Sequence, residues 1–129
     1  MLIAQASLAI FMHTAQASPP TVAQAVVLQA PVKAVKNSDI QHKINLLIKC
    51  ESGGRNVTVM DTNGKYSAGI LQFQLATFQG YRKKYGLDPD KKLWKDSEIQ
   101  RDLAYRMLEE SPKNVRHWTN CAKAKGIYQ

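Results

Sequence analysis

Hydrophobic side chains follow a helical pattern from position 38 onward. Ser38, with Gln41 three residues later, fits a capping box at the start of a helix. Apolar residues then recur at i, i+4, i+7 and i+8, on one face of an amphipathic helix: Ile40, Ile44, Leu47 and Ile48. Because glycine readily adopts the left-handed conformation in which helices end, we expect this helix to stop at Gly53-Gly54.

The next stretch has the composition of a loop or a small β-hairpin. Val57-Thr58-Val59 is β-branched, and Asn63-Gly64 is a dipeptide typical of tight hairpin turns. This is the only part of the chain with a credible strand pattern. From Gly69 onward, the apolar residues predict one short helix followed by another, stopped by Gly86 and Pro89.

A further helix is predicted after Asp96-Ser97, which supplies a capping pair. It should end before Pro112, because proline cannot continue a helix. Its apolar face comprises four residues: Ile99, Leu103, Met107 and Leu108. A last short helical turn is expected to carry Cys121. The pattern therefore predicts a mainly α domain of the α+β type, and 129 residues allow one hydrophobic core.

The N-terminal stretch differs in composition, since residues 1–32 contain no Asp, Glu, Lys or Arg. An apolar run and then Ala15-Gln16-Ala17 are typical of a signal peptide cleaved after Ala17, although the usual basic start is missing. The run is too short and too interrupted to span a membrane. We expect a secreted or periplasmic protein without stable membrane insertion. The sequence therefore predicts three parts of the chain: a signal peptide over 1–17, an Ala/Pro/Val-rich linker over 18–37 and a folded domain over 38–129.

Charge and cysteine content narrow the possibilities only partly. Eighteen Lys and Arg against ten Asp and Glu give a net charge of +8. This charge favours attraction to nucleic acid, to an anionic membrane or to an anionic cell wall, but it is equally compatible with an unspecialised basic surface.

Two cysteines in an exported protein most simply form one disulfide, the alternatives being free thiols or a metal site. Two Cys and three dispersed His give no zinc-binding spacing, so no metal or other cofactor is expected.

Glu51 is the first candidate for chemistry. It falls in the last turn of the first predicted helix, where the negative end of the helix dipole disfavours ionisation and raises the pKa of a carboxyl group. A raised pKa suits an acid that must keep its proton near neutral pH. Without further context, however, a Glu at such a position is usually solvated or paired with a nearby Lys.

Three separated blocks supply that context, in order along residues 40 to 126. They are Cys50-Glu51-Ser52-Gly53-Gly54, then Gly69-Ile70-Leu71-Gln72-Phe73 with Thr77-Phe78, and finally His117-Trp118-Thr119-Asn120-Cys121 followed by basic residues. With the intervening Asn-Gly turn, they resemble the catalytic domain of the resuscitation-promoting factors. They are also similar to the wider lysozyme-like group of lytic transglycosylases.

The resemblance implies a lysozyme-like fold and an enzyme that cleaves the glycan strands of peptidoglycan, and we expect this enzyme to be a monomer. It further implies that Glu51 is the general acid and that Cys50 is disulfide-bonded to Cys121. In lytic transglycosylases the same Glu then acts as a base, so that the sugar's own 6-hydroxyl attacks and a 1,6-anhydro product forms. A water-based variant of this route is equally open.

A second carboxylate is expected in most glycosidases. Asp61 is the nearest candidate by sequence, but it could instead stabilise the turn at Asn63-Gly64 through its own backbone. Other residues carry hydroxyl or amide groups that could bind sugar: Tyr66, Ser67, Gln72, Thr77 and Tyr105. Three aromatic residues are expected mainly in the core: Phe73, Phe78 and Trp118.

Two other functions compete with this one. A lysozyme-like domain that has lost turnover would bind cell wall without cleaving it. A nucleic-acid-binding module would use the positive charge, but Lys and Arg are spread along the chain without a recognised motif, so we expect no nucleic-acid partner.

Overall fold

The computed structural model describes residues 17–18 and 36–127. All of the predicted signal peptide except Ala17 and most of the predicted linker lie outside these residues. Residues 36–127 belong to one compact unit that spans Ala34–Gln129. Its helices are α1 (Ser38–Glu51), α2 (Leu75–Lys84), α3 (Ser97–Glu110) and α4 (Thr119–Ala124), with 3-10 helices at Lys91–Leu93 and Pro112–Trp118. Its strands are β1 (Thr58–Met60), β2 (Tyr66–Ala68) and β3 (Phe73–Gln74).

Helix α1 has the predicted extent, but its N-terminal cap is one residue earlier than predicted. The side chain of Asn37 accepts hydrogen bonds from the backbone N–H groups of Asp39 and Ile40, so Asn37 and not Ser38 is the cap. Asn37 therefore belongs to the folded domain and not to the linker. At the other end, Gly53 (φ 64°) and Gly54 (φ 83°) adopt the left-handed conformation expected there.

The predicted hairpin is present, with Asn63-Gly64 in its turn. Strands β1 and β2 are antiparallel, with Val59 opposite Ser67. A third strand, β3, pairs with β2 so that Gln74 also lies opposite Ser67. This strand was not predicted, because it is only two residues long and the apolar residues around it follow the spacing of a helix.

The prediction of two consecutive helices after Gly69 is wrong. Gly69 (φ 85°) and Gln72 (φ 51°) both adopt left-handed backbone conformations, so the chain makes a tight turn and enters β3 before the single helix α2 begins. The predicted stop at Gly86 is confirmed, since α2 ends two residues before it.

Helix α3 agrees with the sequence prediction. The side chain of Asp96 caps it by accepting a hydrogen bond from the N–H of Ile99 (2.9 Å), and it ends at Glu110, before Pro112. The short helix α4 carries Cys121 as expected. The 3-10 helix Pro112–Trp118, which lies between α3 and α4, was not predicted.

The core lies between α1, α3 and the turn that precedes α2, and it confirms the predicted fold class. The residues that are wholly buried include Ile44, Leu47, Leu71, Phe78, Leu103 and Met107. Cys50 and Cys121 form the disulfide, with a Cα to Cα distance of 5.7 Å, and it joins the end of α1 to α4. Among the described residues, no helix is long and apolar enough to cross a membrane.

Buried polar side chains hold the turn between β2 and α2. Gln100 is wholly buried on α3, and its amide accepts a hydrogen bond from Leu71 N–H (3.0 Å) and donates to Ala68 C=O (2.8 Å). The indole N–H of Trp118 donates to Leu71 C=O (2.8 Å), and that of Trp94 donates to Phe73 C=O (2.8 Å). Because these backbone groups are paired inside the core, the turn has a fixed conformation.

Candidate active site

A cleft of about 610 Å³ opens between the end of α1, the sheet and the segment around Trp118. We call it the Glu51 cleft. Its lining includes two carboxylates, Glu51 and Asp61, and several uncharged polar side chains: Ser67, Gln72, Gln74, Thr77 and Asn120. Such a lining offers many hydrogen-bonding groups to a hydroxyl-rich ligand.

Glu51 is the last residue of α1, and covalent and hydrogen bonds fix the backbone on both sides of it. Cys50 is tied to Cys121 by the disulfide. The hydroxyl of Ser52 is buried and donates a hydrogen bond to the C=O of Ile70 (2.7 Å), in the turn before β3. The backbone that carries Glu51 is therefore held by two tertiary connections in addition to its own helix.

The environment of Glu51 disfavours its ionised form. Burial raises the pKa of Glu51 from 4.5 to about 6, and the negative charge of Asp61 contributes in the same direction. The direction agrees with the prediction from sequence, which had rested on the helix dipole. The causes are instead burial and a second carboxylate, so the cleft itself is what retains the proton.

Asp61 follows β1, and its carboxylate accepts hydrogen bonds from side chains of the other two strands. The Ser67 hydroxyl and the Gln74 amide both donate to Asp61 Oδ2, the latter at 2.7 Å. The turn at Gly64 does use the backbone of Asp61, since Gly64 N–H donates to its C=O (2.9 Å). The side chain, however, is held by the sheet and lines the cleft together with Glu51.

Ser67 and Tyr66 were both predicted to bind substrate, but the structure separates them. Successive side chains of a strand point to opposite faces of the sheet. Ser67 lines the Glu51 cleft with its cross-strand neighbour Val59, whereas Tyr66 lines a different pocket with Thr58. Tyr66 is therefore not part of the cleft, which corrects the sequence prediction.

Gln72 and Thr77 line the cleft as predicted. The amide nitrogen of Gln72 donates to the C=O groups of Val57 (2.9 Å) and Gly69 (2.8 Å). Its nitrogen is thus engaged with the backbone, and a ligand in the cleft would meet its amide oxygen. These two bonds also hold Gln72 in its left-handed backbone conformation.

Tyr105 does not line the cleft, contrary to the prediction. It is buried on α3, and its hydroxyl accepts a hydrogen bond from the N–H of Asn37 (2.8 Å). Asn37 caps the start of α1, while Glu51 is at the other end of that 14-residue helix, roughly 20 Å away at 1.5 Å per residue. Tyr105 therefore stabilises the start of the domain.

Several lining residues escaped the sequence prediction. Gln74 lies beside Asp61 only because β3 pairs with β2. Nε2 of His117 and the hydroxyl of Tyr81 form a hydrogen bond (2.8 Å). Burial, together with the positive charge of Arg116, lowers the pKa of His117. The position of His117 in the third sequence block was the available signal, but nothing local indicated that its ring faces the cleft.

Two aromatic residues form part of the floor of the cleft while belonging to the core. Phe73 and Trp118 line the cleft, yet both are buried, and their rings make an edge-to-face contact with centroids 5.3 Å apart. Phe78 is wholly buried. The expected core role of all three is confirmed.

No family model, curated protein or solved structure matches this chain.

Proposed function

We propose that this domain cleaves glycosidic bonds in the glycan strands of peptidoglycan, with Glu51 as the general acid. The observation that carries the proposal is the presence of two carboxyl groups, Glu51 and Asp61, in the lining of one polar cleft, where burial raises the pKa of Glu51 to about 6. Glycoside cleavage requires a carboxyl group that is protonated near neutral pH and accessible to the leaving oxygen. Burial raises the pKa of Glu51 towards neutrality, so that a fraction of the carboxyl groups carries a proton there, and the place of Glu51 in the cleft lining makes it accessible.

In this mechanism, Glu51 donates its proton to the glycosidic oxygen as the bond to the anomeric carbon breaks. Positive charge then develops on the sugar ring. The carboxylate of Asp61 stabilises that charge, and Ser67 and Gln74 hold it in place. The ionised Glu51 next removes a proton from the attacking hydroxyl group, which belongs either to the same sugar, giving a 1,6-anhydro end, or to water.

The polar lining and the net charge support a glycan of the cell wall as substrate. Amide and hydroxyl groups from Gln72, Thr77 and Asn120 suit the hydroxyl and acetamido groups of amino sugars. A charge of +8 favours association with an anionic wall. The disulfide is consistent with export to an oxidising compartment, and we propose a secreted or periplasmic location.

Digestion of purified peptidoglycan tests the proposal. We expect soluble muropeptides, detected by mass spectrometry, and their mass identifies the second half of the reaction because an anhydro end lacks one water. Binding to insoluble peptidoglycan without release of fragments would overturn the proposal and would favour a wall-binding domain without turnover.

A further inference from the structure

A second pocket, of about 680 Å³, lies on the face of the sheet that points away from the Glu51 cleft. The pleat of the strands creates this arrangement, because side chains alternate between the two faces. Val59 and Ser67 face the cleft, while Thr58 and Tyr66 face the second pocket. The pocket is therefore formed by the same strands as the cleft but is separate from it.

Three lysines border this pocket: Lys91, Lys92 and Lys95. We call it the lysine pocket. All three side chains are exposed, and none takes part in an ion pair found among the described residues. The one acidic residue in the lining, Asp90, uses its carboxylate to accept a hydrogen bond from the N–H of Lys92 (2.8 Å), where it caps a 3-10 helix. The pocket consequently carries an excess of positive charge.

An aromatic surface accompanies these charges. Tyr66 is 52% exposed, so its ring is accessible to a ligand in the pocket. Trp94 lines the same pocket but is buried, and the bond from its indole N–H to Phe73 C=O fixes its ring. Aromatic faces of this kind pack against the C–H groups of sugars and polyols, so the pocket can contact an uncharged part of a ligand as well as its charges.

The cations of the pocket are of a kind that binds phosphate. Lysine acts as a compact point charge that commonly binds phosphate, without the fixed planar geometry in which arginine binds a carboxylate or a phosphate. The lysine pocket contains three Lys and no Arg. Three ammonium groups along one short segment suit phosphates that repeat along a flexible chain.

We infer that the lysine pocket binds a linear polyol phosphate, a polymer in which phosphodiesters alternate with short polyols. The ammonium groups contact the phosphates, and the ring of Tyr66 packs against the polyol carbons. This inference does not depend on Glu51 or on glycan cleavage, since none of the residues involved lines the Glu51 cleft.

Binding of poly(glycerol phosphate) to the full chain, measured by isothermal titration calorimetry, tests the inference. The triple variant K91Q/K92Q/K95Q should bind about tenfold more weakly or worse, because it loses every cation of the pocket. Tyr66→Ala leaves the charge unchanged and should weaken binding by about fivefold through lost apolar contact. An unchanged affinity in either variant would overturn the inference.

A matched control separates a built site from attraction to net charge. K113Q/K123Q/K125Q removes the same charge from exposed lysines that line neither pocket, and it should change the affinity by no more than about twofold. An equal loss in both triple variants would show that binding is diffuse. A single-stranded oligonucleotide with the same number of phosphates should bind more weakly; equal or tighter binding that depends on the same residues would assign the pocket to nucleic acid and contradict the inference.

Discussion

The carboxylate of Asp61 helps Glu51 to keep its proton. Both side chains line the same cleft, and the negative charge of Asp61 adds to the effect of burial in raising the pKa of Glu51 to about 6. Hydrogen bonds from Ser67 and Gln74 hold Asp61 in this position. The two carboxyl groups therefore have different environments, which suits the different roles that we propose for them.

Replacing Asp61 by Asn should lower the pKa of Glu51, because the charge is removed while the shape is kept. NMR titration of the Glu51 side-chain carboxyl carbon measures this pKa directly. In the proposed reaction, the pH above which kcat/KM declines should move in the same direction, because that decline reports loss of the acid's proton.

Ser67→Ala provides the control for this change. It removes one hydrogen bond to Asp61 but leaves the charge of Asp61 in the cleft. We expect a smaller change in the pKa of Glu51 than with Asp61→Asn. If the Asn variant leaves the pKa of Glu51 unchanged, the electrostatic role of Asp61 is wrong.

Replacing Glu51 by Gln should make the domain more stable at alkaline pH. The folded state raises the pKa of Glu51 from 4.5 to about 6, so the stability associated with the protonated group is present below about pH 4.5 and is lost as the pH rises through 6. The rise in the pKa of Glu51 corresponds to about 2 kcal/mol in free energy of unfolding. Solvent screening of this half-buried group reduces the expected difference to about 1 kcal/mol.

Urea unfolding of both proteins at about pH 4 and about pH 8 measures this effect. The variant should exceed the natural protein in free energy of unfolding only at the higher pH. A difference that is the same at both pH values would contradict the pKa assignment.

Loss of the disulfide should cost about 4 kcal/mol in free energy of unfolding, because Cys50 and Cys121 are 71 positions apart and the cross-link restricts a long loop in the unfolded chain. Urea unfolding of C50S/C121S gives the value. The natural protein measured in a reducing agent should give a similar result, and full stability under verified reduction would be inconsistent with this account.

Two glycines should respond oppositely to substitution by alanine. At Gly69 (φ +85°), an added Cβ would lie 2.2 Å from Nε2 of the buried Gln100, so Gly69→Ala should destabilise the domain by about 3 kcal/mol. At Gly80, within α2, nothing lies within 4 Å, and Gly80→Ala should stabilise by roughly 0.5 to 1 kcal/mol. Thermal unfolding of both variants checks the comparison, and an equal response would mean that the turn at Gly69 is not held as described.

The sequence predicted those parts of the fold that depend on local interactions. The apolar face of α1, its end at Gly53-Gly54 and the hairpin turn at Asn63-Gly64 are each encoded by neighbouring residues, and each is present. Capping was predicted to within one residue, because Asn37 and Ser38 are both good caps and only tertiary structure decides between them.

Features that depend on strand pairing and side-chain packing, and not on local composition, could not be predicted in this way. Strand β3 exists only because Gln74 pairs opposite Ser67, and Gln74 reaches Asp61 only as a result. The errors for Tyr66 and Tyr105 have the same origin. Which face of the sheet Tyr66 occupies, and which end of α1 Tyr105 contacts, follow from register and helix packing and not from local composition.

The central claim is tested most directly by the rate at which Glu51→Gln releases soluble fragments from purified peptidoglycan. A general acid contributes about 100-fold to 10,000-fold, so the account predicts a loss of at least about 100-fold in a variant whose folding is verified by circular dichroism. Release within a few-fold of the natural protein's rate would contradict the assignment of Glu51 as the catalytic acid.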